Sequence, residues 1–435
     1  MFLAKRVMKI LVSNIGSTSF KFRLFDMCPR RGSGQAEREI AVGGADRIGG
    51  KGGVLKLRVG GGKEQSQSMD FTDHGQAIRF VMEALVAGGA LEAPKDLGAV
   101  AFKAVMAGDV EPVTLVDEKL LERMEYFVPI APAHNPPYIA AMRMFRKVLR
   151  DTPLVAAFET GFHRTIPQRR RLYAVSPEWA EKYGVKRYGF HGASHRYIAT
   201  RTAELMGSTG VSPVCGTGVS PVGPRPKGGT GGLRIISCHL GGSSSICAIR
   251  DGRSVAVSMG LSPQSGLPQS NRAGDFDPFA LLLLKRQAGL DMEQVLADLG
   301  TRGGLAALSG TGGDMRDIRE AATRKAASGK KVKAKLTLEV FVTAIRDYIG
   351  SYLVELGGPD AIVFTGGIGQ NNPWLRTDVL AGMEFAGIRL DERKNKSATG
   401  ECRIEAADSK TAIWVMPTNE ELIVARQAAA LLVAS

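Results

Sequence analysis

The chain has 435 residues, 44% of them hydrophobic and 23% charged, with a formal net charge of +14 at pH 7. That length exceeds one ordinary core and predicts at least two domains with a cleft, and a composition so near the globular average argues against both disorder and a membrane protein. Lys5 and Arg6 break the opening apolar run Met1-Phe2-Leu3-Ala4. No signal-peptide core and no stretch of spanning length is left, which predicts a cytoplasmic protein without a membrane partner. Cys28, Cys215, Cys238, Cys247 and Cys402 show no CxxC spacing, so reduced thiols are expected. The basic residues fall in scattered runs, Arg169 to Arg171 and Arg324 to Lys335. Without interleaved aromatics they predict no nucleic-acid partner, only a surface that attracts anions.

In chain order, Ile10 to Val12 read as a strand, Gly16 to Ser19 as a turn, and Phe20 to Leu24 as a second strand with Phe20, Phe22 and Leu24 on one face. Period two makes this a hairpin. Helical patterns follow at 74–87 and 137–150. The segment 208–232 repeats Thr-Gly-Val-Ser-Pro-Val at 209–214 and 217–222 and is rich in Gly and Pro, the composition of a mobile surface insertion. A second hairpin is predicted where Leu233 to Cys238 and Ile246 to Ile249 flank the small-residue turn His239 to Ser245. Two such hairpins half a chain apart predict two related domains, each giving one loop to a shared cleft. Helical patterns at 277–288 and 335–356 precede the apolar strand Ala361 to Phe364 and a third glycine turn, Gly366 to Asn371, with a last helix at 418–433.

Three glycine turns beside strands, two carrying Ser or Asn, suit phosphate oxygens or a hydrated metal. No GxxxxGK[ST] stretch and no GxGxxG with a downstream acid occurs, which argues against a P-loop NTPase and a dinucleotide fold.

The order of short motifs resembles the acetate kinase family over nearly the whole chain: NIGSTSFKF from Asn14, APAHNPP from Ala131, AFETGFH from Ala157, RYGFHGASH from Arg187, HLGGSSS from His239, NRAGDFDP from Asn271, SGTGGDMRDI from Ser309, FTGGIGQNN from Phe364 and PTNEEL from Pro417. The resemblance implies the actin, Hsp70 and sugar-kinase fold, an α/β protein of two duplicated actin-like ATPase domains with ribonuclease H-like βββαβα cores and an interdomain cleft. The expected domains are 1–158 with 422–435, and 159–421. It also implies ATP and a short-chain carboxylate as substrates, ADP and an acyl phosphate as products, Mg2+ (alternatively Mn2+) as cofactor, and a homodimer.

By the same resemblance Asn14 and Glu420 hold the metal, and Glu159, His191 and Arg272 are catalytic. Lys103, His134, Val105, Ala133, Phe190 and Pro263 bind the carboxylate. ATP falls to Ser17, Ser19, Lys21, His239, Leu240, Gly241, Gly242, Ser243, Asp314, Met315, Arg316, Gly367, Ile368, Gly369, Gln370 and Asn371. The residues alone leave plainer readings open. Asn14 can merely cap its turn, Lys21 can be the polar face of the hairpin, Glu420 can be a first-turn residue favoured by the helix dipole, and Arg272 can pair with Asp275 or Asp277. His191, flanked by glycines in Gly189 to His195, permits close approach of a ligand.

The chain departs from the family at four of these positions. Lys103 stands for an arginine and keeps charge while losing the bidentate fork. Glu159 stands for an aspartate and is one methylene longer, so the two changes read as a compensating pair. Gly242 stands for an asparagine, and Ala133 for a leucine, leaving room for a longer acid such as propionate or butyrate. A weakened member that binds nucleotide or acyl phosphate without efficient turnover is the competing expectation.

Overall fold

The computed structural model describes residues 8–16, 18–27, 37–207, 232–324 and 329–434. Ser17, Cys28, Cys215 and the predicted insertion at 208–232, apart from Gly232, lie outside them. Among the described residues the chain divides into two compact units, one from the residues up to Gly161 and those from Asn419 on, the other from the residues between Phe162 and Thr418. The boundaries expected after residue 158 and before 422 are displaced by a few residues. Glu159 stays with the first unit, where its amide donates to Ala104 O at 2.8 Å, and Glu420 stays because it opens the helix Glu420–Ala434, packed on that unit's sheet.

The first unit has strands β1 (Met8–Ile15), β2 (Ser19–Met27), β3 (Arg38–Asp46), β4 (Val54–Val59), β5 (Gln65–Ser68), β6 (Leu97–Ala104), β7 (Val113–Leu115) and β8 (Leu154–Phe158). They form one sheet in the order β5-β4-β3-β2-β1-β6-β8-β7. The alternation in β2 does what period two requires: Phe20, Phe22 and Leu24 are buried and Lys21 is exposed. Phe25, on the opposite face, is buried as well. Gly16 N donates to Ser19 O at 2.9 Å and closes the hairpin, with Asn14 opposite Lys21. Phe145, on the helix Asn135–Val148, meets Phe20 and Phe102 edge to face at 5.5 and 5.3 Å. That geometry suits the ring quadrupoles and locks helix to sheet.

The second unit has β9 (Arg234–Leu240), β10 (Ser244–Arg250), β11 (Arg253–Val257), β12 (Ala361–Thr365), β13 (Cys402–Arg403) and β14 (Ala412–Val415), in the order β11-β10-β9-β12-β14-β13. The duplication is topological. In both units a strand lies between two hairpin partners and two parallel strands: β3-β2-β1-β6-β8 and β11-β10-β9-β12-β14 have the same sequence of antiparallel, antiparallel, parallel and parallel pairings. The parallel strands β8, β12 and β14 are buried at every residue, as sheets covered on both faces demand. The helices Asn135–Val148 and Glu420–Ala434 pack on β8 in the first unit, and Gly329–Leu356 packs on β9 and β10 in the second. Among the described residues no helix is long and apolar enough to cross a membrane.

The third glycine turn differs from its expectation. It is itself a short helix, Gly366–Asn371, directly continuing β12, and a second helix starts at Pro373. Gly366 makes the abrupt entry possible with φ of 76°, and a Cβ there would lie 2.4 Å from Leu240 O. Gly366→Ala is therefore expected to cost more than the roughly 1–2 kcal/mol of left-handed strain alone, because the β9 backbone must also yield. Urea denaturation checks this, and a loss below about 1 kcal/mol would show that the loop simply moves aside.

Candidate active-site residues in the two units

In the first unit Lys103, near the end of β6, and Glu420, at the start of its helix, form an ion pair at 2.5 Å. Sequence had given these residues different tasks; the fold joins them. Glu159 is 6% exposed at the end of β8 and acts on Lys103 through its charge. Burial alone would lower the Lys103 pKa, but Glu420, then Glu159 and Tyr138, outweigh it and hold the ammonium above the ordinary lysine value. Lys103 therefore sits in the field of two carboxylates, Glu420 and Glu159. Tyr138, missed at the sequence level, donates from its hydroxyl to Asn14 Oδ1 at 3.2 Å, and burial pushes its pKa up to about 12. It stays a neutral donor at any working pH.

Asn14 is exposed at the end of β1, Lys21 is exposed, and Ser19 is half-buried. His74, also missed, lies with Nε2 3.1 Å from Gly16 O and supports this turn. His134 precedes the helix Asn135–Val148, Ala133 is exposed and Val105 is buried. Asn135 ties this region together by donating from Nδ2 to Met106 O and Met124 O, both at 2.8 Å.

Mg2+ prefers a few hard oxygen ligands and keeps several waters. Asn14 offers an amide oxygen and Glu420 a carboxylate, so the donor chemistry fits. Among the described residues no group of three or more His, Cys, Asp or Glu could enclose a metal.

In the second unit four histidines gather around β9, β10 and the helix Gly192–Leu205. His191 stands just before that helix with φ of 58° and its Nδ1 2.8 Å from Ser245 Oγ. Its ring stacks on His239 at 4.3 Å, and His239 Nδ1 is 2.8 Å from Ser194 Oγ. His195, one helical turn on, is fully buried between Ser237 and Ser245. His163 is buried between Ser254 and Phe190 O, and burial lowers its pKa to about 4, leaving a neutral ring. A histidine three or four residues from a candidate on a helix was the available signal for His195.

Arg272 does not pair with Asp275 or Asp277. Among the described residues its Nη1 has neutral partners only, Gln269 Oε1 at 3.3 Å, Ser243 Oγ at 3.4 Å and Pro263 O at 3.5 Å. Desolvation pulls its pKa below the ordinary arginine value. Such a cation has much to gain from an anion. Asp275 instead accepts from Gly266 N and Tyr348.

The predicted nucleotide residues divide into two kinds. Leu240, Met315 and Ile368 bury their side chains in the hydrophobic core, so they offer a ligand only main-chain groups. Gly241, Gly242 and Ser243 form the turn between β9 and β10, and a Cβ at Gly242 would meet nothing nearer than Ser270 Oγ at 3.6 Å. Backbone conformation does not demand glycine there. Asp314 caps the helix Met315–Thr323, and the Arg316 side chain and amide hold its pKa down to about 2. In the loop helix Gly366–Asn371, Asn371 Nδ2 donates to Gly367 O at 2.9 Å. Gly369 O and Gln370 O accept from Arg376, a fully buried guanidinium also bound to Asn395. Phe190 and Pro263 are buried.

A sequence profile of the Acetokinase family matches residues 9–213 and 228–426, and the gap falls within the segment that carries the Thr-Gly-Val-Ser-Pro-Val repeat. An acetate kinase from Natranaerobius thermophilus is 38% identical over 428 residues, covering 98% of this chain and 100% of that one. The crystal structure of Porphyromonas gingivalis acetate kinase superposes with a TM-score of 0.81 at 30% identity, over 98% of this chain and 100% of that chain. A propionate kinase from Francisella tularensis subsp. tularensis gives the same TM-score, 0.81, at 27% identity, over 97% and 98%. With the repeated sheet topology, the motif order and these likenesses in agreement over almost every residue, the chain belongs to the acetokinase family.

Proposed function

We propose that the chain transfers the γ-phosphoryl group of ATP directly, in line, to a short-chain carboxylate, acetate or a slightly longer acid, and releases ADP and an acyl phosphate. The observation that carries this is His191, an imidazole set at the start of a helix, stacked on a second imidazole, and braced by Ser245. Donors at a helix N-terminus suit a phosphoryl group, and phosphoryl transfer asks for positioning and charge stabilisation rather than covalent help.

In this reading Arg272, held by neutral oxygens, adds a cation for the transferring group, and Lys103 and His134 receive the carboxylate. A carboxylate is nucleophilic at neutral pH, so Glu159 orients and balances charge instead of removing a proton. Tyr138 keeps Asn14 turned toward its task. Asn14 and Glu420 would hold Mg2+, with Mn2+ as the alternative, and the ion would neutralise phosphate charge when bound. The turn after β9, with His239 and Ser243, Asp314 with Arg316, and the loop helix from Gly367 to Asn371 receive the nucleotide, with Ser19 and Lys21 near its phosphates. The reading extends to a cytoplasmic homodimer; a monomeric mass in sedimentation at working concentration would remove the dimer.

Hydroxamate trapping with ATP, Mg2+ and C2 to C4 acids tests the activity. Acyl hydroxamate is expected, with propionate at least as good as acetate in kcat/KM. Alanine at position 133 leaves space, and one accommodated methylene adds up to ~0.8 kcal/mol, about fourfold. A steep preference for acetate would count against the enlarged pocket. No product from any acid, with ATP binding still measurable, would favour the weakened nucleotide-binding member that Lys103, Glu159 and Gly242 suggest.

A further inference from the structure

We infer that Ser237, His195 and Ser245 form a one-way hydrogen-bond chain that positions His191 and fixes its neutral form with the proton on Nε2. The inference rests on the reading above, in which His191 meets the transferring phosphoryl group.

The chain of contacts is continuous. Ser237 Oγ lies 2.9 Å from His195 Nδ1, His195 Nε2 lies 2.9 Å from Ser245 Oγ, and Ser245 Oγ lies 2.8 Å from His191 Nδ1. Ser237, His195 and Ser245 are each 0% exposed, so water does not compete for these bonds. Burial, reinforced by the neighbouring His163 and His239, holds the His195 pKa well below the usual histidine value. His195 is therefore a neutral ring, which donates from one nitrogen and accepts at the other.

Two directions satisfy that rule. In one, Ser237 donates to His195 Nδ1, His195 Nε2–H donates to Ser245, and Ser245 donates to His191 Nδ1. In the other every bond is reversed, and the Ser237 hydroxyl proton needs an acceptor of its own. Among the described residues Ser237 Oγ has no hydrogen-bond partner besides His195. A buried donor left without an acceptor is more costly than an unused lone pair on the same oxygen. The first direction therefore holds, His191 Nδ1 is an acceptor, and its proton sits on Nε2.

The consequence is chemical. An imidazole with its proton on Nδ1 would turn a lone pair toward an anionic phosphoryl group, whereas the Nε2–H form turns a donor toward it. Partners behind a working histidine set its tautomer and ring orientation in this way. Ser237, His195 and Ser245 are positioning residues in this scheme, since they act through His191.

The test uses the full chain labelled with 15N-histidine, two-bond 1H–15N correlation spectra in mildly alkaline buffer, and assignment of His191 by the peaks lost in His191→Gln. The wild type is expected to show His191 as a single Nε2–H tautomer. Ser245→Ala should give a tautomer mixture and lower kcat roughly 10- to 100-fold with little change in either KM, and Ser245→Thr, which keeps the hydroxyl, should restore both. Ser245→Cys keeps the bulk and donates weakly; it should fall between them and serves if the alanine variant does not fold. A wild-type spectrum with the proton on Nδ1, or an alanine variant with an unchanged tautomer, overturns the chain. A changed tautomer with unchanged kcat overturns the positioning role. The spectra require no turnover, so failure to form acyl phosphate would defeat the functional reading and leave the tautomer result to be judged alone.

Discussion

Lys103→Met is expected to destabilise the first unit by about 3–5 kcal/mol, the loss typical of a buried ion pair stripped of one member. The side chains of Lys103 and Glu420 are only 24% and 13% exposed, too sheltered for the small effects of surface bridges. Methionine fills the volume but leaves Glu420 and Glu159 without the cation whose field they share. The pH dependence follows from the sign of the shift. The Lys103 pKa is raised on folding, so its contribution is present in full below the unfolded value of about 10.4. It fades as pH rises from there through the folded value. The loss should therefore be constant through neutral pH and shrink in strong alkali. Urea unfolding at several pH values measures it; a change below about 1 kcal/mol at neutral pH would class the pair with solvated surface bridges.

His191→Asn is expected to reduce kcat by roughly 10²–10³-fold, the scale of losing one donor aimed at transition-state charge. KM for ATP should change far less, because the turn after β9 and the loop helix, which the proposed reading gives to the nucleotide, are untouched. Asparagine is chosen because it tolerates left-handed backbone better than most residues, so the change isolates the imidazole. Steady-state hydroxamate kinetics read both constants. If kcat stayed within tenfold of wild type, His191 would be a packing residue and another group would have to serve the phosphoryl.

Local pattern made much of this molecule legible. Both hairpins follow from alternation across small-residue turns, and the helix over 74–87 has the predicted ends, fixed by Asp73, whose carboxylate accepts from Gln76 N. The duplication was visible in the two turns because each unit repeats the same strand pairings. What was not legible depends on partners far apart in sequence. Lys103 and Glu420 are 317 residues apart and share a bond of 2.5 Å, and no window of sequence contains both. Tyr138 and Ser245 look like ordinary surface polar residues until burial is known. Arg376 reads as a solvated helix arginine, yet it is 0% exposed and holds the end of the loop helix. The third glycine run was expected as a turn because glycine is a poor helix former; Gly366 instead provides the sharp entry that lets the helix begin at once. At Arg272, the ion pair that spacing allowed is absent because Asp275 is engaged by Gly266 N and Tyr348.

The backbone at His191, with φ of 58°, sets ruggedness against activity at one position. An L-residue in that conformation costs roughly 1–2 kcal/mol that glycine would not. Selection for heat tolerance alone would favour glycine there, and each such gain would delete the imidazole. On the proposed role of His191, a library screened only for survival on heating would thus enrich inactive proteins at this codon, and the histidine would persist only where turnover is selected too.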